Sequence, residues 1–310
     1  MKIYTHNFNI NSNSGPNKFT RQLFRKMGDL YDIEIMNDQK ACDIEFCLIM
    51  QQSEKLKPRL TRLDGIYFNI DQEFDKLNSP IRYTYDYSDA VIFQSEFNKK
   101  LIENWFFDHQ NGHVIHNGAD LDYINLIGPS CDKIGVFNLD DNVEVWSCAS
   151  NWRPHKRLKD NIDYFISFAP KNAIFIIAGL GAQKEDFEKY SDLINKRIFY
   201  AGEIDYNSLI CLYKRSKVFV HLAFLDHCPN VVVDAQACGC KIICSSTGGT
   251  SEIVTIGRII KEDPWDFQPI KLYEPPSINF NSYHDIVSDN EHNLKEASLA
   301  YYEVMNSILN

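Results

Sequence analysis

The stretch HLAFLDHCPNVVVDAQACGCKIICSSTGG, residues 221–249, reads as the end of one strand, a loop, a helix, a second strand and a glycine turn. The apolar run 217–221 closes on His221. Pro229 suits the first turn of the following helix, where its fixed φ helps and its missing N–H costs nothing. Asn230 and Asp234 lie four apart and so share one helix face. Two carboxylates therefore flank a helix start, Asp226 on the loop and Asp234 one turn in. Free N–H groups at a helix start bind phosphate, and carboxylates accept hydrogen bonds from sugar hydroxyls. A sugar joined to a nucleoside through a diphosphate needs both.

Working outward, short apolar runs alternate with amphipathic stretches along the whole chain. Strands are expected at 2–8, 32–36, 43–50, 65–70, 90–94 and 113–116, then at 143–149, 173–179, 197–200, 217–221, 241–245 and 258–261. Helices are expected at 20–30, 95–107, 159–168, 206–216 and 229–238. Alternation of this kind predicts an α/β fold of parallel sheets covered on both faces. Six strands twice over predict two doubly wound, Rossmann-like domains, 1–125 and 140–289, facing across a cleft. Their break falls across 120–141, where the periodicity fades. The stretch 262–283 reads as an irregular wrap, and a final helix at 290–309 returns toward the first domain. Sheets of this type bind ligands beyond the carboxyl ends of their strands.

Composition narrows the function classes. The 310 residues suit two domains, and an apolar fraction of 44% with 13% aromatics is that of a globular protein. A formal charge of −10, from 32 basic and 42 acidic residues, argues against nucleic acid as the main partner. No signal-like N-terminus and no spanning apolar run are present, so a soluble, cytoplasmic protein is expected. The nine cysteines lack the paired spacing of a zinc site and read as reduced thiols. Helix 20–30 carries Arg21, Arg25 and Lys26 beside apolar residues. It could dock a membrane surface or an anionic glycan peripherally, although a solvated amphipathic face is the simpler account.

Other candidates follow strand ends. Gly15, in NSNSGPNKF, would let backbone approach a ligand. Asn69 and Asp71 end one strand; Gln94 ends another, with Ser95 as a helix N-cap. VIHNGAD, 114–120, holds an Asn-Gly turn. The stretch SCASNWRPHKRLKD, 147–160, places Arg153 and Lys156 where cations can hold a diphosphate. Gly202, Glu203 and Ile204 could edge a nucleobase with their backbone. Turns, solvated loops and a basic surface turn are the structural alternatives for these. No Gly-x-Gly-x-x-Gly follows the first strand, and no P-loop or nucleophile elbow is present.

In this order the motifs resemble the retaining family 4 glycosyltransferases, the group 1 glycosyl transferases of GT-B fold. The likeness runs over roughly 15–252. It is strongest at Asp226-x7-Asp234, Ala237-Cys238-Gly239, strand 241–245 and Gly248-Gly249, and clear again at SDAVIFQSEF, VIHNGAD and SNWRPHKRL. The family's Glu-x7-Glu element stands here as two aspartates. By that resemblance Asp234 would bind the ribose and Asp226 the transferred sugar. Backbone from Cys228 through Pro229 and Asn230 to Val231 would contact the diphosphate, with Lys156 on the phosphates and the Gly15 loop closing over them. Asn151 occupies the place of the family's arginine, and Arg153 is the candidate substitute. Asn69, Asp71, Gln94 and Ser95 would face the acceptor, though Asp71 stands where many members carry histidine. The resemblance implies transfer of a sugar from a nucleotide sugar to a hydroxyl of a glycan or other acceptor, with retention and with neither metal nor cofactor. A non-catalytic partner protein that binds a nucleotide sugar or glycan is the alternative.

Overall fold

The computed structural model describes residues 1–128 and 143–310, with the backbone of a two-strand ladder, β7 (Lys133–Ile134) and β8 (Phe137–Asn138). The first half runs β1 (Lys2–His6), α1 (Gly15–Leu30), β2 (Glu34–Met36), β3 (Ile44–Leu48), β4 (Arg59–Leu63), α2 (Phe74–Asp86), β5 (Ala90–Phe93), α3 (Glu96–Trp105), β6 (Gly112–Val114) and α4 (Leu121–Leu126). Its six strands form a parallel sheet in the order β2-β1-β3-β4-β5-β6. The second half runs β9 (Val145–Ala149), α5 (Leu158–Phe168), β10 (Ile174–Ala178), β11 (Ile198–Gly202), α6 (Tyr206–Arg215), β12 (Ser216–His221), α7 (Asn230–Ala237), β13 (Lys241–Ser245), β14 (Ile256–Ile260) and β15 (Tyr283–Val287). Its sheet has the order β11-β10-β9-β12-β13-β14-β15, and only β15 is antiparallel to its neighbour. A last helix, α8 (Leu294–Ser307), ends the chain.

Burial explains the layers. Every residue of β3, β4 and β9 is buried, as expected for parallel strands covered on both faces. Helix α1 starts with a proline in its first turn and buries Phe19, Leu23, Phe24 and Met27 along one stripe. That stripe packs on Ile3, Phe46 and Leu60 of the first sheet, together with Leu294, Tyr301, Val304 and Met305 of α8. The chain thus returns from its second half to complete the core of the first. Each such side chain contributes about 1.5–3 kcal/mol by leaving water.

Several elements differ from the sequence expectation. The strand expected at 65–70 lies upstream, at β4. Hydropathy hid it because Arg59 and Arg62 are fully buried within it. Arg59 reaches Glu45 from Nε at 2.9 Å and Nη2 at 2.6 Å, and Arg62 reaches Asp64 at 2.5 Å. Paired this way, charged residues occupy a buried strand. Helix α2 was unanticipated because Pro80 sits inside it. Strand β15 was also missed; it is an exposed edge with little apolar patterning. The expected pause across 120–141 is partly filled by α4, capped by the Asp120 side chain accepting from the Tyr123 N–H; 129–142 lies outside the described residues, the ladder backbone apart. Seven cysteines among the described residues are free thiols. Among the described residues no helix is long and apolar enough to cross a membrane.

Candidate functional site

The second sheet reverses its order between β9 and β12, and the crevice at such a point is where open α/β sheets bind ligands. The loop after β9 carries Lys156, in the short turn Pro154–Lys156. The loop after β12 carries Asp226. A hydrogen bond from the Phe224 N–H to the His155 carbonyl, 2.7 Å, ties the two loops together. Leu225 has φ of +55°, a left-handed conformation that turns the chain sharply just before Asp226. The Gly248-Gly249 turn then packs against the Asp226 backbone. A Cβ on Gly248 would lie 2.4 Å from the Asp226 carbonyl oxygen, and one on Gly249 2.0 Å from that of His227. Only glycines permit this approach.

Asp226 is the electrostatic centre. Its Oδ2 accepts from Lys156 Nζ at 2.5 Å and lies 2.9 Å from His221 Nε2, while its Oδ1 accepts the His227 N–H at 3.1 Å. Burial by itself would raise the Asp226 pKa, but Lys156 and His221 outweigh it and hold the carboxyl well below the usual range. Burial keeps His221 below its ordinary value although Asp226 pulls the other way. The result is an ionised carboxylate, a lysine and a buried imidazole in one cluster.

One turn away, α7 begins at Asn230, with Pro229 as its N-cap rather than its first helical residue. No side chain caps this end and no acidic residue lies in its first turn, so the positive end of the helix is not neutralised locally. Asp234, one turn in, is buried; its Oδ2 accepts from the Tyr206 hydroxyl at 3.2 Å and lies 3.8 Å from Lys18 Nζ. Burial raises its pKa, opposed by Lys18 and Tyr206. Asn230 faces the first half: its Nδ2 donates to the Gly15 carbonyl at 3.2 Å, and its Oδ1 accepts from Asn117 Nδ2 at 2.8 Å. Asn117 Nδ2 also reaches the Cys228 carbonyl at 2.9 Å, and Arg62 holds Asn117 Oδ1 at 2.9 Å. Val231 packs against the core of the second half.

Asp226 and Lys156 therefore meet between the loops after β9 and β12, while Asn230 and Asp234 of α7 meet the start of α1 at Gly15 and Lys18. Gly202, with φ of +65°, leaves β11 and its carbonyl accepts the Gly179 N–H at 2.7 Å; Glu203 is exposed and Ile204 packs on the core. Arg153 lies exposed and forms no ion pair among the described residues. The cation that the loop does bury is Arg157, bound bidentately by Glu262 at 2.9 and 2.7 Å. On the opposite side Asn69, Gln94 and Ser95 are buried; Gln94 and Ser95 are spent internally, whereas Asn69 uses only its oxygen and its buried Nδ2 has no partner among the described residues. Asn69 Oδ1 accepts the Leu272 N–H at 3.3 Å, Gln94 Nε2 donates to the Asp64 carbonyl at 2.7 Å, and Ser95 Oγ caps α3 through Asn98 N–H at 3.0 Å. Asp71 alone of these is exposed. The basic residues of α1 also serve internal contacts: Arg25 binds Asp120, Lys26 binds Asp122 at 2.7 Å, and Arg21 donates to the Ile10 carbonyl at 2.5 Å.

Sequence reasoning missed the residues that join the halves. His227 places its Nδ1 3.1 Å from Asn98 Nδ2 and its ring against Gly65, and burial lowers its pKa to about 4. Glu252 accepts the N–H groups of Glu96 and Phe97, each at 2.7 Å, at the start of α3. It stands 156 and 155 residues from those partners, and the one local hint was the glycine turn before it. Among the described residues no group of three or more His, Cys, Asp or Glu side chains could hold a metal ion.

Residues 133–264 match the family model described as glycosyl transferases group 1. A GDP-mannose-dependent monoacylated alpha-(1-6)-phosphatidylinositol monomannoside mannosyltransferase of Corynebacterium glutamicum is 21% identical over 179 residues, 54% of this chain and 47% of that protein. The match thus spans about half the length of this curated relative. Among solved structures, Anabaena Alr3699/HepE in complex with UDP and glucose superposes with a TM-score of 0.68 at 15% identity, covering 99% of this chain and 100% of that one. Sucrose-phosphate synthase from Thermosynechococcus elongatus gives 0.73 at 12% identity, with 99% of both chains covered. WaaG, a glycosyltransferase involved in lipopolysaccharide biosynthesis, gives 0.59 at 9% identity over 100% and 93%. The fold is GT-B, and the resemblance to the group 1 glycosyl transferases holds.

Proposed function

We propose that this chain is a retaining glycosyltransferase that moves a sugar from a nucleotide-sugar donor to a hydroxyl acceptor, without a metal ion. The observation that carries the reading is Asp226, held ionised by Lys156 and His221 at the switch point of the second sheet. Asp234 stands one turn into a helix with an uncapped start. The donor ribose would lie on Asp234, the diphosphate at the start of α7 and on Lys156, and the sugar hydroxyls on Asp226. Lys156 and the helix end would stabilise charge on the departing diphosphate, the task a metal performs elsewhere. A phosphate oxygen of that leaving group would take the acceptor proton as the acceptor oxygen attacks from the same face. Neither Asp226 nor Asp234 then acts as nucleophile.

The test is incubation with labelled UDP-, GDP-, dTDP- and ADP-sugars. Slow hydrolysis of one donor, abolished in Asp226→Ala and Lys156→Ala, is the expected outcome. Tight binding of a donor without turnover toward water or any acceptor would replace the enzyme by a nucleotide-sugar-binding partner protein.

A further inference from the structure

Among the described residues, Lys18 is the one lysine that the first half directs at the second half's buried carboxylate. It stands one turn into α1, next to Gly15 on the helix face that meets α7, and its Nζ lies 3.8 Å from Asp234 Oδ2. The same ammonium sits over the Tyr206 ring, 3.5 Å from its centroid. Tyr206 opens α6 two residues beyond Ile204 and stacks on Tyr123 at 5.7 Å, which fixes its plane. Asp234 is the anion that offsets an otherwise costly position. A cation in the first turn opposes the positive end of its own helix, and α1 has no acidic residue there to offset it and no side-chain cap. Burial lowers the Lys18 pKa, with Asp234 opposing and Arg21 adding to the fall. Two uncapped helix starts, α1 and α7, meet through the Gly15–Asn230 hydrogen bond beside this lysine.

Resting on the nucleotide-sugar reading above, we propose that Lys18 is a donor-recognition residue supplied by the first half. Its ammonium neutralises Asp234 and turns to the diphosphate once ribose hydroxyls take that carboxylate. One lysine thereby couples occupation of the ribose subsite to closure over the phosphates, so a nucleoside alone gains little from it and a nucleoside diphosphate gains much. Tyr206 supplies the ring against which the lysine stem is held during the exchange.

Titration calorimetry on the full chain tests this with UDP, GDP, dTDP and ADP, and then with the nucleoside of whichever diphosphate binds tightest. Lys18→Met should weaken the diphosphate about ten- to hundred-fold, the strength of one charge-assisted hydrogen bond, and change nucleoside binding less than threefold. Lys18→Arg should restore most of the loss, and matching thermal melts show that each variant is folded. Tighter binding of both ligands by Lys18→Met would make the lysine a latch that excludes donor and would overturn the proposal, as would unchanged diphosphate affinity. If the unaltered protein binds none of the four diphosphates, the nucleotide-sugar reading itself fails and takes this proposal with it.

Discussion

Lys156→Met should unfold more easily than the unaltered protein, and by more at pH 8 than at pH 6. Lys156 and Asp226 are 2.5 Å apart with side-chain exposures of 14% and 15%. Removing one partner of a buried pair leaves the other charged and poorly solvated, at about 3–5 kcal/mol. Here His221 lies 2.9 Å from the same oxygen and can take up a proton. In the unaltered protein burial lowers the His221 pKa, Lys156 adds to that, and Asp226 opposes both. With the lysine gone, Asp226 should draw the imidazole pKa above its unfolded value. A group raised in this way stabilises fully below its unfolded pKa, and the contribution disappears as pH rises through the folded one. Each pH unit between the two is worth about 1.4 kcal/mol. The deficit should therefore be about 3 kcal/mol at pH 8 and about half that at pH 6. Equilibrium urea unfolding at both pH values reads it, and Lys156→Met with His221→Gln should remove the pH dependence. Equal midpoints for variant and unaltered protein at pH 8, or a deficit identical at the two pH values, would refute the reasoning.

Three further outcomes are expected. Gly249→Ala places a methyl 2.0 Å from the His227 carbonyl oxygen and 2.5 Å from Ser95 Oγ. It should lower stability by about 1–3 kcal/mol by overpacking, read as a fall in the urea midpoint with the far-UV spectrum retained. Arg62→Met strands Asp64 beneath the first sheet and should cost about 3–5 kcal/mol, of which Arg62→Met with Asp64→Asn recovers a large share; additive losses in that cycle would show the two are not paired. Glu252→Ala removes the carboxylate from the start of α3 and should cost about 0.5–2 kcal/mol. Because Glu252 belongs to the other half, amide exchange at Glu96 and Phe97 should quicken, and protection equal to the unaltered protein would refute the contact.

What could be read from the chain and what could not divide along sequence distance. Residues 221–249 were legible because each part of the pattern is local: an apolar strand end, a proline at a helix start, one aspartate on the loop and another one turn into the helix, then a glycine turn. Lys156 was legible as a cation after a strand, whereas Gly15, read as lying ahead of a helix at 20–30, is the first residue of α1. Arg153 was read from the same cue and lies exposed, while its neighbour Arg157 folds inward onto Glu262. Nothing within the loop separates those two arginines, since the carboxylate that chooses between them stands 105 residues away. The same holds for Arg59 of β4, which looks like a surface residue until Glu45, 14 residues away, is placed beside it.

By itself the sequence determined the alternation of strands and helices, hence two parallel sheets, and the chemistry present at the carboxyl ends of their strands. Those properties depend on backbone preference and side-chain periodicity over a few residues, which neighbours along the chain decide. Only the tertiary structure decided which polar groups satisfy one another across the cleft: Lys18 with Asp234, Asn117 with Asn230, Asn98 with His227, and Glu252 with the start of α3. A buried charge or amide must find a partner wherever the fold brings one, because leaving it unmet costs more than a surface charge gains. That search runs through space, and Asp234 carries no mark in the sequence of the lysine that would answer it from the other half.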